Sequence, residues 1–345
     1  MFGCTPLKPV RLDNGLLIDV SAPLRLCGCL LFSRRSCVGR GKSLYYCIVH
    51  PVTIENDAIC MDVWPQIGGK VSSIIDKADH FELLFTYPSE LPDSPNYDVP
   101  YADHWFCGWD ECFPAVAPCV YPRHPYQGIG VPDHGELWGI PTTTAVPTKD
   151  GITTVWHGLR FGYRLTRKLF LEETSVVAEY SLTNLAPFEF RFVWAMHALM
   201  SMTSPVEFDA GGAKAFRLSH GADGQPIDQA FDWPAAPGGE ILWQPRALPP
   251  KRGWKSFCAD PIQSPWVIRY PKRNRSVEIE YSSEDMLPAY WGIWINTGGW
   301  GGGEHFAIEP TAGRFDQLDR AIRDGSAGRL AGFGRCQWAV RWKLG

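Results

Sequence analysis

The sequence predicts an all-β protein, on three observations. Its apolar residues fall in short runs rich in β-branched and aromatic side chains. Turn residues separate those runs at the intervals typical of sandwiches. One stretch alone carries a helical pattern. Glycine and proline continue neither a helix nor a central strand readily, so 34 Gly, 29 Pro and 15 Trp in 345 residues favour a turn-rich β fold with an aromatic-lined cleft over a helical one. This length suits two average domains or one large all-β domain, and 45% hydrophobic against 20% charged residues is enough to bury a sizeable core.

Residues 1–48 differ in composition from the rest of the chain. Between Leu26 and Tyr46 the chain carries Arg34, Arg35, Arg40 and Lys42 with no acidic residue. That composition reads as a poorly ordered N-terminal extension, with an organellar leader as the other reading. A single domain is expected from residue 49 to 345. It opens with a hairpin, Val52 to Trp64 around Glu55-Asn56-Asp57, then a strand from Ile67 to Ile75 entered through a glycine pair, then Phe81 to Tyr87. Further strands are expected at Gly151–Trp156, Phe161–Phe170, Ser175–Asn184, Glu189–His197, Trp266–Tyr270, Ser276–Tyr281, Tyr290–Ile295, Phe306–Ile308 and Cys336–Leu344. The stretch from Gly211 to Pro250, rich in Gly, Pro and Ala, reads as an irregular loop or insertion. Phe315, Leu318 and Ile322 share one helical face, with Asp316 near the start and Gly325 past the end, which predicts a helix over 315–323. The Gly298 to Gly303 run lacks the Gly-Lys-Ser/Thr ending of a phosphate-binding loop and reads as a flexible turn or site lid.

A net charge of −4 exerts no long-range pull on nucleic acid or anionic lipid. The expected partner is a small molecule, neutral or weakly charged, with no nucleic acid and no membrane. Eleven cysteines, an odd number, lack the paired Cys-x2-Cys spacing of a zinc site. Free thiols in a reducing, cytoplasmic compartment are the expectation. No run reaches the length of a membrane span, and the N-terminus lacks the series of charged, apolar and small residues that directs secretion.

The chemistry gathers between Gly108 and Thr144. Gly-Trp-Asp-Glu-Cys-Phe-Pro and then Pro-Asp-His-Gly-Glu-Leu-Trp set Asp110, Glu111, Asp133, His134 and Glu136 among Trp109, Phe113, Tyr121, Tyr126 and Trp138. A pyranose has C–H patches that stack on flat rings and hydroxyls that need fixed polar partners. Acids and a histidine embedded in aromatic surface therefore read as a sugar site, or else as an ordered loop whose rings cap a β-sandwich. Three later segments add candidates. His197 ends the apolar run Phe192-Val-Trp-Ala-Met-His, Trp294 lies in Tyr290-Trp-Gly-Ile-Trp-Ile-Asn296, and Glu309 follows Phe306-Ala-Ile. Taken singly, His197 reads as a core histidine, Glu309 as a strand terminator, Asp110 and Glu111 as a solvated pair, and Asp133 and Glu136 as groups that orient His134. Arg123, Arg160 and Arg164 are candidates for holding an anionic substituent of a substrate, or ordinary surface arginines.

Together and in this order, the segments from residue 50 to the C-terminus resemble the galactose mutarotase-like, or aldose 1-epimerase, family, in a divergent branch marked by Trp-Asp-Glu-Cys-Phe-Pro and Asp-His-Gly-Glu-Leu-Trp. The resemblance implies a β-supersandwich, with large twisted antiparallel sheets and a concave sugar-binding cleft. It also implies that His134 contacts the sugar, that His197 is the general acid and that Glu309 is the general base. The residues around His197, Trp-Ala-Met-His-Ala-Leu, depart from the family's Asn-His-Thr-Tyr-Phe. The family's sugar-contacting Asp between acid and base, and its upstream Asn-Arg, have no evident counterpart. The implied reaction interconverts α and β anomers of an aldose, which needs an acid and a base near working pH and no metal or other cofactor. A non-catalytic carbohydrate-binding module, a hexose-6-phosphate epimerase and another carbohydrate-active enzyme remain open on the same fold. Two neighbouring acids also suit a glycosidase pair.

Overall fold

The computed structural model describes residues 50–86, 96–104, 106–221, 226–301 and 303–345. The expected extension over residues 1–48 lies outside them. Two large sheets dominate. The first runs in the order Val52–Glu55, Ile59–Trp64, Lys70–Asp76, Trp109–Cys112, Trp194–Ala198, Glu304–Ala312, Tyr290–Thr297, Gly253–Cys258, Ala215–His220 and Pro226–Asp232. The second runs Glu207–Asp209, Trp266–Tyr270, Arg275–Ser282, Arg335–Leu344, Ser175–Asn184, Tyr163–Glu172, Gly151–His157 and Thr144–Pro147. Pairing is antiparallel along both paths.

Most strands fall where β-branched and aromatic runs predict them, and the departures begin with two that have a local cause. The run Glu189 to His197 divides into Phe190–Phe192 and Trp194–Ala198, because the Val193 N–H turns aside to bond the Pro114 carbonyl at 2.8 Å. The expected strand end at Ile308 moves on to Ala312. Pro310 stands opposite Trp291 on one side, while on the other side the ladder to the neighbouring strands is interrupted around it: Phe306 and His305 pair with Met200 and Ser201, Thr311 and Ala312 with Ala195 and Trp194, and an interruption of this kind is where a strand accommodates proline. The expected loop from Gly211 to Pro250 contains the strands Ala215–His220 and Pro226–Asp232, and Gly253–Cys258 follows unforeseen. The helix spans Leu318–Asp324, later than predicted, with Gly325 closing it in the left-handed conformation, as a C-terminal glycine does. Beyond Glu82 the expected Phe81 to Tyr87 strand contributes an isolated bridge from Leu84 to Met200. Cys112, Cys119, Cys258 and Cys336 are free thiols.

The period of two along Trp109–Cys112 organises the interior. Alternate side chains leave a strand on opposite faces, so Trp109 and Glu111 point between the sheets and Asp110 and Cys112 point the other way. Trp109 stacks on Trp342 of the second sheet, centroids 5.5 Å apart. Glu111 has no exposed surface and accepts four hydrogen bonds, from Trp109 Nε1 at 3.0 Å, Arg167 Nη1 at 3.0 Å, Tyr180 Oη at 2.7 Å and Trp194 Nε1 at 2.8 Å. A buried carboxylate is tolerated only when paired and bonded in this way. Replacing Glu111 by Leu strands the buried Arg167 charge and is expected to cost about 3–5 kcal/mol. Pairing it with Arg167→Met should return part of that loss, and urea unfolding of both variants against wild type checks it.

Candidate active site

On the other face of the first sheet, the same alternation collects the chemistry. Asp110 stands directly opposite His197 in the ladder. Glu309 stands opposite Gly292, where a Cβ would come within 3.2 Å of the Glu309 carboxylate and crowd it. Lys255 stands opposite Trp294. Where the ladder opens around Pro310, His197 Nε2 and Glu309 Oε1 lie 3.9 Å apart. The second Glu309 oxygen accepts a hydrogen bond from Lys255 Nζ, whose other neighbour is Asp316 Oδ1 at 3.4 Å.

His134 enters from a loop. It adopts φ +56 and Gly135 φ +75. A Cβ on Gly135 would lie 2.1 Å from the Phe113 carbonyl oxygen, so the His-Gly pair is a turn that glycine alone can close. Asp133 Oδ1 bonds His134 Nδ1 at 2.9 Å, and Asp133 Oδ2 accepts the Tyr101 N–H at 2.9 Å. The Tyr101 ring stacks on His134 with centroids 3.9 Å apart. Its hydroxyl donates to Asp110 Oδ2 at 2.8 Å and lies 3.5 Å from His197 Nδ1, and Asp110 in turn pairs with Lys70. The imidazole of His197 is thus held between Tyr101 on one side and Glu309 on the other.

These groups border a cleft of about 390 Å³, within the range of about 300–1,000 Å³ for small-molecule sites. His134, His197, His220, His305, Lys255 and Asp316 give it polar edges, and Tyr101, Phe106, Trp294 and Trp300 give it flat ones. Burial sets its electrostatics. It lowers the His197 imidazole well below the usual histidine range, helped by the charges of His134 and Lys255, and it lowers His305 to about 3. Burial raises the Glu309 carboxyl, with Lys255 opposing. Asp133 is held below the usual carboxylate range, its hydrogen bond and charge contact with His134 outweighing burial. Among the described residues no cluster of three metal-ligating side chains occurs, and no helix is long and apolar enough to cross a membrane.

The structure brings together some of the sequence candidates and separates others. His134, His197, Asp133 and Trp294 border the cleft. Glu309 lies beneath it with no exposed surface. Asp110 lies behind Tyr101. Glu111 and Trp109 belong to the core between the sheets, so neither is a sugar contact. Glu136 is buried and accepts from Tyr97 Oη at 2.6 Å and the Arg160 N–H at 2.9 Å, while Trp138 packs edge-on behind Tyr101 and donates to the Asp133 carbonyl at 2.7 Å. Both support the loop rather than face a ligand. Arg164 and Arg123 are exposed, and Arg160 is paired with Asp98. Tyr101, Phe106, His220, Lys255, His305 and Asp316 border the cleft without having been singled out as site candidates by the sequence. His220 and Lys255 sit on strands hidden by Gly- and Pro-rich surroundings, and His305 lies just outside the predicted strand bounds; Tyr101 and Asp316 reach the cleft from turns, which carry no periodic signal.

No family model matches the chain, and no curated protein matches it. Solved structures do. A galactose mutarotase-like protein from Lactobacillus casei superposes with a TM-score of 0.63 at 16% identity, over 86% of this chain and 100% of that one. A galactose mutarotase related enzyme from Lactobacillus acidophilus gives 0.62 at 14%, over 86% and 97%. The Slr1438 protein of Synechocystis gives 0.62 at 13%, over 91% and 99%. Identities this low carry the architecture and not the activity. The two antiparallel sheets, joined through Glu111, have the galactose mutarotase-like fold.

Proposed function

We propose that the chain is an aldose 1-epimerase-like isomerase that interconverts the α and β anomers of an aldose or related sugar. The observation that carries this is the placing of His197 Nε2 and Glu309 Oε1 3.9 Å apart on neighbouring strands, at the floor of an aromatic-edged cleft. Glu309 Oε1 has no hydrogen-bond partner, so a proton donor is what it lacks. Burial moves the carboxyl up and the imidazole down. Their affinities for a proton converge, which lowers the cost of moving a proton between either group and the neighbouring C1 hydroxyl and ring oxygen of a sugar.

In the proposed reaction Glu309 takes the proton of the C1 hydroxyl as His197 gives one to the ring oxygen. The C1–O5 bond breaks and the open aldehyde forms. Rotation about C1–C2 presents its other face, and ring closure returns both protons with the roles reversed. His134, fixed by Asp133 and stacked on Tyr101, orients the ring oxygens, and Trp294 and Trp300 offer stacking surface. Because Glu309 is covered, the hydroxyl reaches it through a side-chain rearrangement of His197 or Lys255, a change of the size that commonly accompanies binding.

That same burial favours a second reading, a carbohydrate-binding module without catalysis. Anomeric exchange measured by NMR on a panel of aldoses decides between them. Wild type is expected to accelerate exchange of at least one sugar, with His197→Asn and Glu309→Gln each losing about 10²–10⁴-fold while still folded; binding without acceleration would establish the module instead. A phosphorylated substrate has less support, since no arginine is among the described residues bordering the cleft. Truncating Trp300, which is 39% exposed at the rim, is expected to weaken sugar binding about 2–10-fold, the worth of one ring contact of about 0.5–1.5 kcal/mol. Calorimetry checks this, and stability should hold because the side chain is not in the core.

A further inference from the structure

Lys255 stands between the cleft and Glu309. It is 5% exposed and borders the cavity, whereas the carboxylate behind it has no exposed surface. Its Nζ bonds one Glu309 oxygen and leaves the other, Oε1, turned to His197 without a partner. A lysine in this position has no counterpart in the acid and base pair alone, and proton exchange between Glu309, the sugar and His197 gives it no part.

We propose that Lys255 is a positioning residue of this site: through its ion pair it holds Glu309 in the ionised form a base needs, and it fixes which oxygen faces His197. The inference rests on the acid/base reading of the cleft. The charged or titratable neighbours of Glu309 among the described residues enter the balance. Lys255 approaches from the Gly253–Cys258 strand, His197 from Trp194–Ala198, and Asp316 from the turn after Glu309's own strand. Cys112, whose thiol burial keeps neutral, approaches from Trp109–Cys112, and His134 from its loop. His305 is on the same strand. Opposite, Gly292 brings no side chain.

Within that set Lys255 is the one permanent cation acting directly on the carboxylate. Asp316 repels the carboxylate and attracts the ammonium, so Lys255 stays protonated despite its burial. A buried carboxylate that loses its partner takes up a proton. Without Lys255 the carboxyl group is therefore expected to be the neutral acid at the pH where the reaction needs the base. The lysine charge also disfavours the His197 imidazolium, so removing it moves both members of the pair in the same direction, toward protonation.

The test uses the full chain with Lys255→Met and Lys255→Arg. In the free protein, the carboxyl carbon of Glu309 is followed by ¹³C NMR across pH, assigned with Glu309→Gln. The Lys255→Met variant is expected to titrate about one pH unit or more above wild type, with Lys255→Arg restoring most of the difference. In anomeric exchange, the whole bell-shaped profile of kcat/KM should move to higher pH in Lys255→Met and back in Lys255→Arg. An unmoved Glu309 titration in a folded Lys255→Met variant overturns the proposal. So does a profile that drops in height without moving, which is what loss of packing alone would produce. If wild type accelerates no sugar, the acid/base reading falls and the positioning role with it, while the carboxyl titration still reports whether the ion pair exists.

Discussion

The structure depends on one buried carboxylate. Glu111 sits between the two sheets with no exposed surface and binds an indole from its own strand, an indole from the adjacent strand, and a tyrosine and an arginine from the opposite sheet. Leaving any of those donors unmet in a dry interior is costly. The network therefore fixes both the spacing of the sheets and the register of Trp109–Cys112 against Trp194–Ala198. A slip of one residue would send Glu111 to the cleft and Asp110 to the core. The same register puts Asp110 opposite His197, so the core constraint also aligns the site.

On the cleft face the physics changes from satisfaction to its controlled absence. Asp133 is met by His134 and the Tyr101 backbone, whereas Asp110, bonded through one oxygen to Lys70 and Tyr101, and Glu309, bonded through one oxygen to Lys255, each keep a second oxygen without a hydrogen-bond partner, that of Glu309 beside an imidazole whose charged form burial disfavours. Buried polar atoms left unpaired in a folded protein concentrate where ligands or reacting protons complete them. Beside Glu309 and His197 the ladder is interrupted, with Ala307 to Pro310 outside the register that joins the strand carrying Glu309 to Trp194–Ala198 and Met200–Ser201.

Much of the architecture was legible because antiparallel strands advertise themselves locally. Ser175–Asn184 and Trp266–Tyr270 occupy the spans that their aromatic and β-branched residues predict. The failures have one character. Ala215–His220 and Gly253–Cys258 lie in or beside segments crowded with Gly and Pro, where turn composition masks strands that draw their stability from neighbours far along the chain. For the site, the motifs pointed to the right loops but not to the right side chains. Trp-Asp-Glu reads in sequence as one polar-aromatic cluster. Pleating divides it, with Trp109 and Glu111 to the interior and Asp110 to the cleft face.

The sequence by itself determined the all-β class, because side-chain period and turn chemistry act over a few positions, while the antiparallel pattern and the candidate histidines His134 and His197 came from the resemblance that the order of its motifs carries. Tertiary structure alone decided that Glu111 is a core tie, that Glu309 lies covered beneath the cleft, and that Lys255, Asp316 and Tyr101 join it. Tyr101, Lys255 and Glu309 lie far apart in the chain. Their meeting depends on strand order and register, and the electrostatics that define the site arise from burial, which no local stretch of sequence specifies.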